Sequence, residues 1–452
     1  MTKLWQKNTV SRNKIVDKFL SSDDVLFDNQ LVKWDIYGSL AHITMLQKIK
    51  LLTDSEYGLL KHELIKILEL YECGKFKVTF EDEDVHTKVE TFITQEIGNV
   101  GKKIHTGRSR NDQVLVDLRL YCKNELFLIL QKSLELCDKL FSLTQIHKDV
   151  PMPGYTHMQK AMPSSVGLWF GAYAESILDA TKTMINTLKL IDQSPLGSGA
   201  SYGIPLPLDR QLTADLLGFY KVQNNSLYAQ NSRGKFEGQV VQSMSMVMYD
   251  ISKFSTDLLL FTTSEFNYFS IDEMFTTGSS IMPQKRNLDV AELLRSKFNT
   301  LNSAYFQIIT TTSNLPSGYN RDYQDTKRPL MESFKMMDQS LEIFVLLISS
   351  ITVNKESLEK SMTSELFATH SALELTKNGV AFRDAYGKVG NNLKNVKNIN
   401  FISVLNQSTH QGSVGNLSTE VSIKEMNEMR TEVNKSYKKF NSVLHTLTQK
   451  YE

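Results

Sequence analysis

The chain has 452 residues, with 51 Lys and Arg against 50 Asp and Glu, so its formal charge of +1 offers no global basic field for nucleic acid. Only 9 residues are proline, about 2 % against a usual ~5 %, and 22 are glycine, about 5 % against ~7 %. This shortage of helix breakers predicts an all-α protein and excludes collagen-like, disordered and proline-rich classes. The nine prolines all lie between Pro151 and Pro329, which concentrates the turns mid-chain. No apolar run reaches the ~18–20 residues of a membrane span, and the polar N-terminal segment lacks the apolar core of a signal peptide. Cys73, Cys122 and Cys137 are widely spaced without a CxxC, so neither a disulfide framework nor a zinc site is expected, and the cytoplasm is the expected compartment.

In chain order, Asp54 followed by Ser55–Leu70 reads as an N-cap opening an amphipathic helix. Long helices free of internal proline are predicted over Asp112–Lys148 and Gly167–Gln193. From Val240 the apolar residues fall at Val240, Met244, Val247, Ile251, Phe254, Leu258 and Phe261, alternating gaps of four and three. That is the seam of a helix lying lengthwise against others. As one helix, Lys235–Asn267 would be roughly 50 Å long at 1.5 Å per residue, which favours bundle assembly between copies. Two more long helices follow over Asp289–Asn314 and Leu330–Ser350. Boundaries near Thr106 and Asn354 divide the chain into an N-terminal helical domain (1–106), a central long-helix bundle domain (107–354) and a small C-terminal helical domain (355–452).

Four connections between the helices are rich in Gly, Ser, Thr and Pro with scattered Lys, Arg, Asn or His: Lys102–Gln113, Pro151–Pro163, Ser194–Pro207 and Thr276–Asn287. Across Ile97–Asn111, Val150–Ala174 and Met274–Leu288 there are seven Lys or Arg and no acid. Cationic loops ending at helix N-termini suit a carboxylate or phosphate. Gly197–Gly203 has one residue too many for GxGxxG, and Gly98–Lys102 is too short for a Walker A loop. Only His157, in a Gly/Pro loop, stands out among the nine histidines.

HTGRSRNDQ (His105–Gln113), PGYTHMQ (Pro153–Gln159) and GSSIMPQKRN (Gly278–Asn287) resemble the three signature blocks of the argininosuccinate lyases, in the fumarase/aspartase superfamily. EDVHT (Glu83–Thr87), PLGSGA (Pro195–Ala200) and LPSGYNRDYQ (Leu315–Gln324) match in the same order. Three places depart from the family pattern: QKNT after the N-terminal KLW, KAMP at Lys160–Pro163, and KRNL at Lys285–Leu288. The resemblance implies a three-domain helical lyase assembling as a homotetramer, with sites drawing on three subunits. It implies cleavage of argininosuccinate, a small-molecule substrate, to arginine and fumarate, with no metal, cofactor, nucleic acid or membrane.

The resemblance also implies roles. Ser279 stands at the proton-transfer position, with His157 its acid/base partner. A serine hydroxyl is a poor base unless its oxyanion is stabilised, which Lys285 and helix N-terminal amides could do. Glu292 could orient His157 or raise its basicity, as a carboxylate does in a triad; its alternative is a surface glutamate in a first helical turn. Ser22, Asn111, Thr156, Asn287, Tyr319, Gln324 and Lys327 carry the binding roles, with Lys285 shared between the two sets.

Overall fold

The computed structural model describes residues 14–21, 24–397 and 399–449. The chain is mostly helical. Its principal helices are α1 (Asp24–Lys48), α2 (Asp54–Glu72), α3 (Val85–Ile97), α4 (Arg110–His147), α5 (Val166–Ile191), α6 (Lys235–Phe261), α7 (Asp289–Ser313), α8 (Lys327–Ser349) and α9 (Thr419–Thr448). The five long mid-chain helices stand within a few residues of their predicted spans, except that α6 ends six residues early. There Thr262 and Thr263 turn their hydroxyls onto the Leu258 and Leu260 carbonyls, and the chain folds back so that Tyr268 N–H donates to Phe261 O. The cap of α2 is Thr53 rather than Asp54. Its hydroxyl accepts from Glu56 N while the Glu56 carboxylate accepts from Thr53 N, a reciprocal box that fixes the start one residue earlier.

All seven seam residues of α6 are buried, none more than 6 % exposed. They pack where α6 runs along α7, α5 and α8, while α4 lies against α5, α1, α8 and α9. Trp169 of α5 stacks on Phe254 of α6 with ring centroids 4.5 Å apart, and Phe254 meets Phe344 of α8 edge-on at 5.1 Å. Between α8 and α9 the helices are short. Leu366, Phe367 and Val404 form a small apolar cluster of their own. The last helix, α9, returns to the main core with Met426, Val433, Phe440 and Leu444.

The helices are joined in part by strand, which the all-α expectation had read as loop. Among the described residues four two-stranded ladders form: β1 (Pro151–Thr156) with β2 (Gln159–Ser165), β3 (Gln193–Ser194) with β4 (Lys221–Val222), β5 (Phe269–Ser270) with β8 (Thr352–Val353), and β6 (Thr277–Gly278) with β7 (Arg286–Asn287). Two of them present the blocks that stood out in sequence.

Candidate active site

The N-terminal ends of α3, α4 and α8 meet α1 around a cavity of about 160 Å³. Its lining is dense in charge: Asp24 and Asp28 from α1, Glu83, Asp84 and His86 at the start of α3, Arg110 and Asn111 at the start of α4, and Arg233, Tyr319, Arg321, Gln324 and Lys327. The ammonium of Lys327 lies 2.6 Å from Asp28 and 2.9 Å from Asp24, and its side chain is 5 % exposed. Burial works against that charge, but the two carboxylates outweigh it and hold the Lys327 pKa above its ordinary value. Arg110 donates to Asp84 at 2.9 Å, and Asp84 also caps α3 by accepting from Thr87 N. Arg321 and Gln324 donate to the carbonyl of Leu20. A larger groove, about 890 Å³, runs along α2 past Gln47, His62 and Glu69 and holds none of the expected site residues. Convergence of polar groups, rather than size, makes the smaller cavity the candidate site.

Asp112 ties two sequence blocks together beside this cavity. One carboxylate oxygen accepts from Ser109 N at 2.9 Å, completing the cap of α4, and the other accepts from Gly197 N and Gly199 N at 2.9 and 3.1 Å. The left-handed backbone of both glycines, at φ 83° and 64°, lets the loop turn its amides onto one oxygen. Burial pushes the Asp112 carboxyl up to about 6, against the pull of these amides.

His157 and Met158 form the two-residue turn of the β1–β2 hairpin, both in the left-handed region at φ 50° and 62°. Such a turn matches the twist of a hairpin, but side chains other than Gly or Asn resist it, at a cost of order 1 kcal/mol or more each. The result is an exposed imidazole at the hairpin tip, with Thr156 exposed beside it. On the second hairpin, Thr277 pairs with Asn287 and Gly278 with Arg286. Within the loop they close, Ser279 Oγ accepts from the backbone amides of Ile281 and Met282 at 3.3 and 3.1 Å. Both donors belong to the loop itself rather than to a helix N-terminus. Lys285 is exposed, and Glu292 is exposed in the first turn of α7; neither side chain has a hydrogen bond or ion pair among the described residues.

The expected residues thus fall into three groups within one chain. Asn111, Tyr319, Gln324 and Lys327 share the cavity. Thr156 and His157 stand on one hairpin, and Ser279, Lys285 and Asn287 on or beside another, with Glu292 just beyond. No hydrogen bond or ion pair among the described residues joins one group to another. Ser22 lies outside the described residues. The acid-free charge pattern of the loops does not survive folding intact, because acids distant in sequence reach the first block: Lys103 pairs with Glu56 and Arg110 with Asp84. Only Lys285 of the third block keeps an unpaired charge, since Arg286 lies 3.9 Å from Glu273.

Asp84, His86, Arg233 and Arg321 line the cavity without having been singled out. For His86 and Asp84 the signal lies in EDVHT, a block that matches the family pattern but to which the sequence reading attaches no role. Behind the cavity wall, His86 Nδ1 lies 2.9 Å from Asp35 and 3.8 Å from Asp117, all three buried.

The class of protein is a lyase, since a lyase family model matches residues 8–300. Solved structures share the fold. EDDS lyase in complex with formate superposes with a TM-score of 0.81 at 19 % identity, covering 97 % of this chain and 95 % of that one. Class II fumarase from Schistosoma mansoni gives 0.68 at 17 % identity, covering 80 % and 87 %. Sequence narrows the class. The argininosuccinate lyase of Phocaeicola vulgatus is 43 % identical over 415 residues, 92 % of each chain. That of Thermotoga neapolitana is 42 % identical over 388 residues, 86 % of this chain and 97 % of its own. The chain belongs to the argininosuccinate lyase family.

Proposed function

We propose that the chain catalyses the reversible β-elimination of argininosuccinate to L-arginine and fumarate, the last step of arginine biosynthesis, through a carboxylate-stabilised carbanion. Ser279, as an alkoxide, takes the proton from the carbon beside a carboxylate, and the electron pair spreads into that carboxylate. The carbon–nitrogen bond then breaks, its electrons leaving with the guanidinium nitrogen, which takes a proton from the acid partner. The observation that carries this reading is the pair of amides on Ser279 Oγ, since a serine works as a base only where its oxyanion finds fixed donors. Lys285, exposed on the same loop, adds positive charge there. His157 is the acid/base partner and Glu292 its orienting carboxylate. Asn111, Thr156, Asn287, Tyr319, Gln324, Lys327 and Ser22 bind the substrate.

The site is proposed to be completed between copies in a homotetramer. Support comes from the separation of the residues into three groups and from the exposed position of His157 at a hairpin tip. Exposed apolar side chains on the long helices, Leu293 and Phe306 on α7 and Leu346 on α8, offer faces for such packing. The division near Thr106 and Asn354 is proposed as well. Thr106 ends a 3-10 turn before α4, and Asn354 caps the first short helix after the bundle. A cytoplasmic location is part of the proposal, and no helix among the described residues is long and apolar enough to cross a membrane.

Fumarate release followed by ultraviolet absorbance tests the substrate. Argininosuccinate should yield fumarate and adenylosuccinate should not; release from adenylosuccinate alone, or from neither, would overturn the proposal.

A further inference from the structure

The hairpin that carries His157 is held at two points just below its tip. The tip is the His157–Met158 turn, the first cross-strand pair is Thr156 with Gln159, and the next is Tyr155 with Lys160. Each member of that second pair reaches off the hairpin. The Tyr155 phenol shares a hydrogen bond with the Tyr268 phenol at 2.7 Å, and its ring packs on Phe261 and Phe266. Lys160 Nζ donates to the carbonyl of Ser361 at 2.6 Å.

Both anchors belong to one platform. Tyr268 is buried; its N–H donates to Phe261 O at the end of α6, and its own carbonyl accepts from Asn354 N at 2.8 Å. The Asn354 side chain accepts from Ser357 N and so caps the short helix Lys355–Ser361. Ser361 closes that helix, and the Lys160 ammonium meets a carbonyl at a helix C-terminus, where positive charge is favoured. The β5–β8 ladder, Phe269 with Val353 and Ser270 with Thr352, ties the segment after Tyr268 to the segment before Asn354.

We propose that Tyr155 and Lys160 are positioning residues for His157, clamping the hairpin to this platform from both strands so that its tip keeps the left-handed turn. A turn whose two residues both resist its backbone persists only where the surroundings over-determine it. The His157 ring has no hydrogen bond or ion pair of its own among the described residues, so its place is that of the hairpin. One anchor would leave the hairpin free to pivot about the strand it holds; anchors on both strands fix its rotation as well. Lys160 also opens KAMP, one of the stretches that depart from the family pattern, and the clamp gives that position a role. The role rests on His157 being the acid/base partner; the clamp itself does not.

The clamp is read by hydrogen–deuterium exchange of the full-length enzyme without substrate, whatever the enzyme acts on. The backbone of 155–160 should exchange faster in Lys160→Met and in Tyr268→Phe, and at the wild-type rate in Lys160→Arg, which keeps a donor. Unchanged exchange in both of the first two variants would overturn the clamp. The role is read by fumarate release. Lys160→Met should lower kcat about tenfold, more than it raises KM, and Lys160→Arg should restore most of that loss. Tyr155→Phe and Tyr268→Phe delete the same bond, so the two together should cost no more than either alone. None of these changes should lower activity further in a His157→Asn background. The same fold-loss there as in the wild-type enzyme would show that the anchors act elsewhere and would overturn the role. Normal turnover by His157→Asn itself would remove the reading of His157 and the role with it, and leave the clamp to the exchange result.

Discussion

Ser279 and His157, the proposed catalytic pair, are placed by their backbones more than by their neighbours' side chains. Two loop amides aim at Ser279 Oγ, and a turn held in the left-handed region pushes His157 outward. Ser279→Ala and His157→Asn should each leave a folded protein with kcat lowered at least ~100-fold, the usual scale for loss of general acid–base catalysis; near-normal turnover of either would remove its role. Lys327 has a structural duty beside its proposed binding role, because two carboxylates depend on it. Lys327→Met should therefore lower unfolding stability by about 3 kcal/mol, read in urea, as well as raise KM. His42 gives a pH signature. It is buried, with Nε2–H donating to Thr106 O at 2.9 Å, and burial, with Arg108 adding to it, holds its pKa well below 6.5. The unfolded chain takes up a proton near pH 6.5 that the folded chain refuses. Stability is thus full above that pH and falls as pH drops below it, by at most about 1.4 kcal/mol per unit. His105, which burial holds down to about 3, adds a slope of the same sign, so urea midpoints should fall from pH 7.5 to 5 and His42→Asn should remove the share of one proton from that slope.

Among the elements, legibility followed period and breakers. The α6 seam could be read because four–three spacing over three heptads leaves one apolar stripe, and all of it is buried. Truncating its middle, Phe254→Ala, should cost about 3–5 kcal/mol in denaturant unfolding, since that ring fills the junction of Trp169 and Phe344. The hairpins could not be read. A His-Met turn carries none of the Gly or Asn signal that marks a two-residue connection, and a pair as short as Thr277–Gly278 has no alternation to detect. The charge pattern misled for a related reason. Counting along Ile97–Asn111 cannot see Glu56 or Asp84, which reach its cations from other helices. The buried pair Asp35 and Asp117 was equally hidden, each acid lying alone within an apolar helical stretch.

At the scale of the molecule, one chain offers a charged cavity, a histidine on one hairpin and a serine loop on another, with no hydrogen bond or ion pair among the described residues bridging them. The proposed assembly would bring the three together between copies. The central claim is that the working site is shared. It is tested by mixing His157→Asn with Ser279→Ala, exchanging subunits, and measuring fumarate release from argininosuccinate. If the two residues of a site come from different chains, an equal mixture holds about a quarter of sites with both intact, and activity should return to about that fraction of wild type. No recovery after exchange confirmed by native mass spectrometry would place both residues in one chain and contradict the shared site.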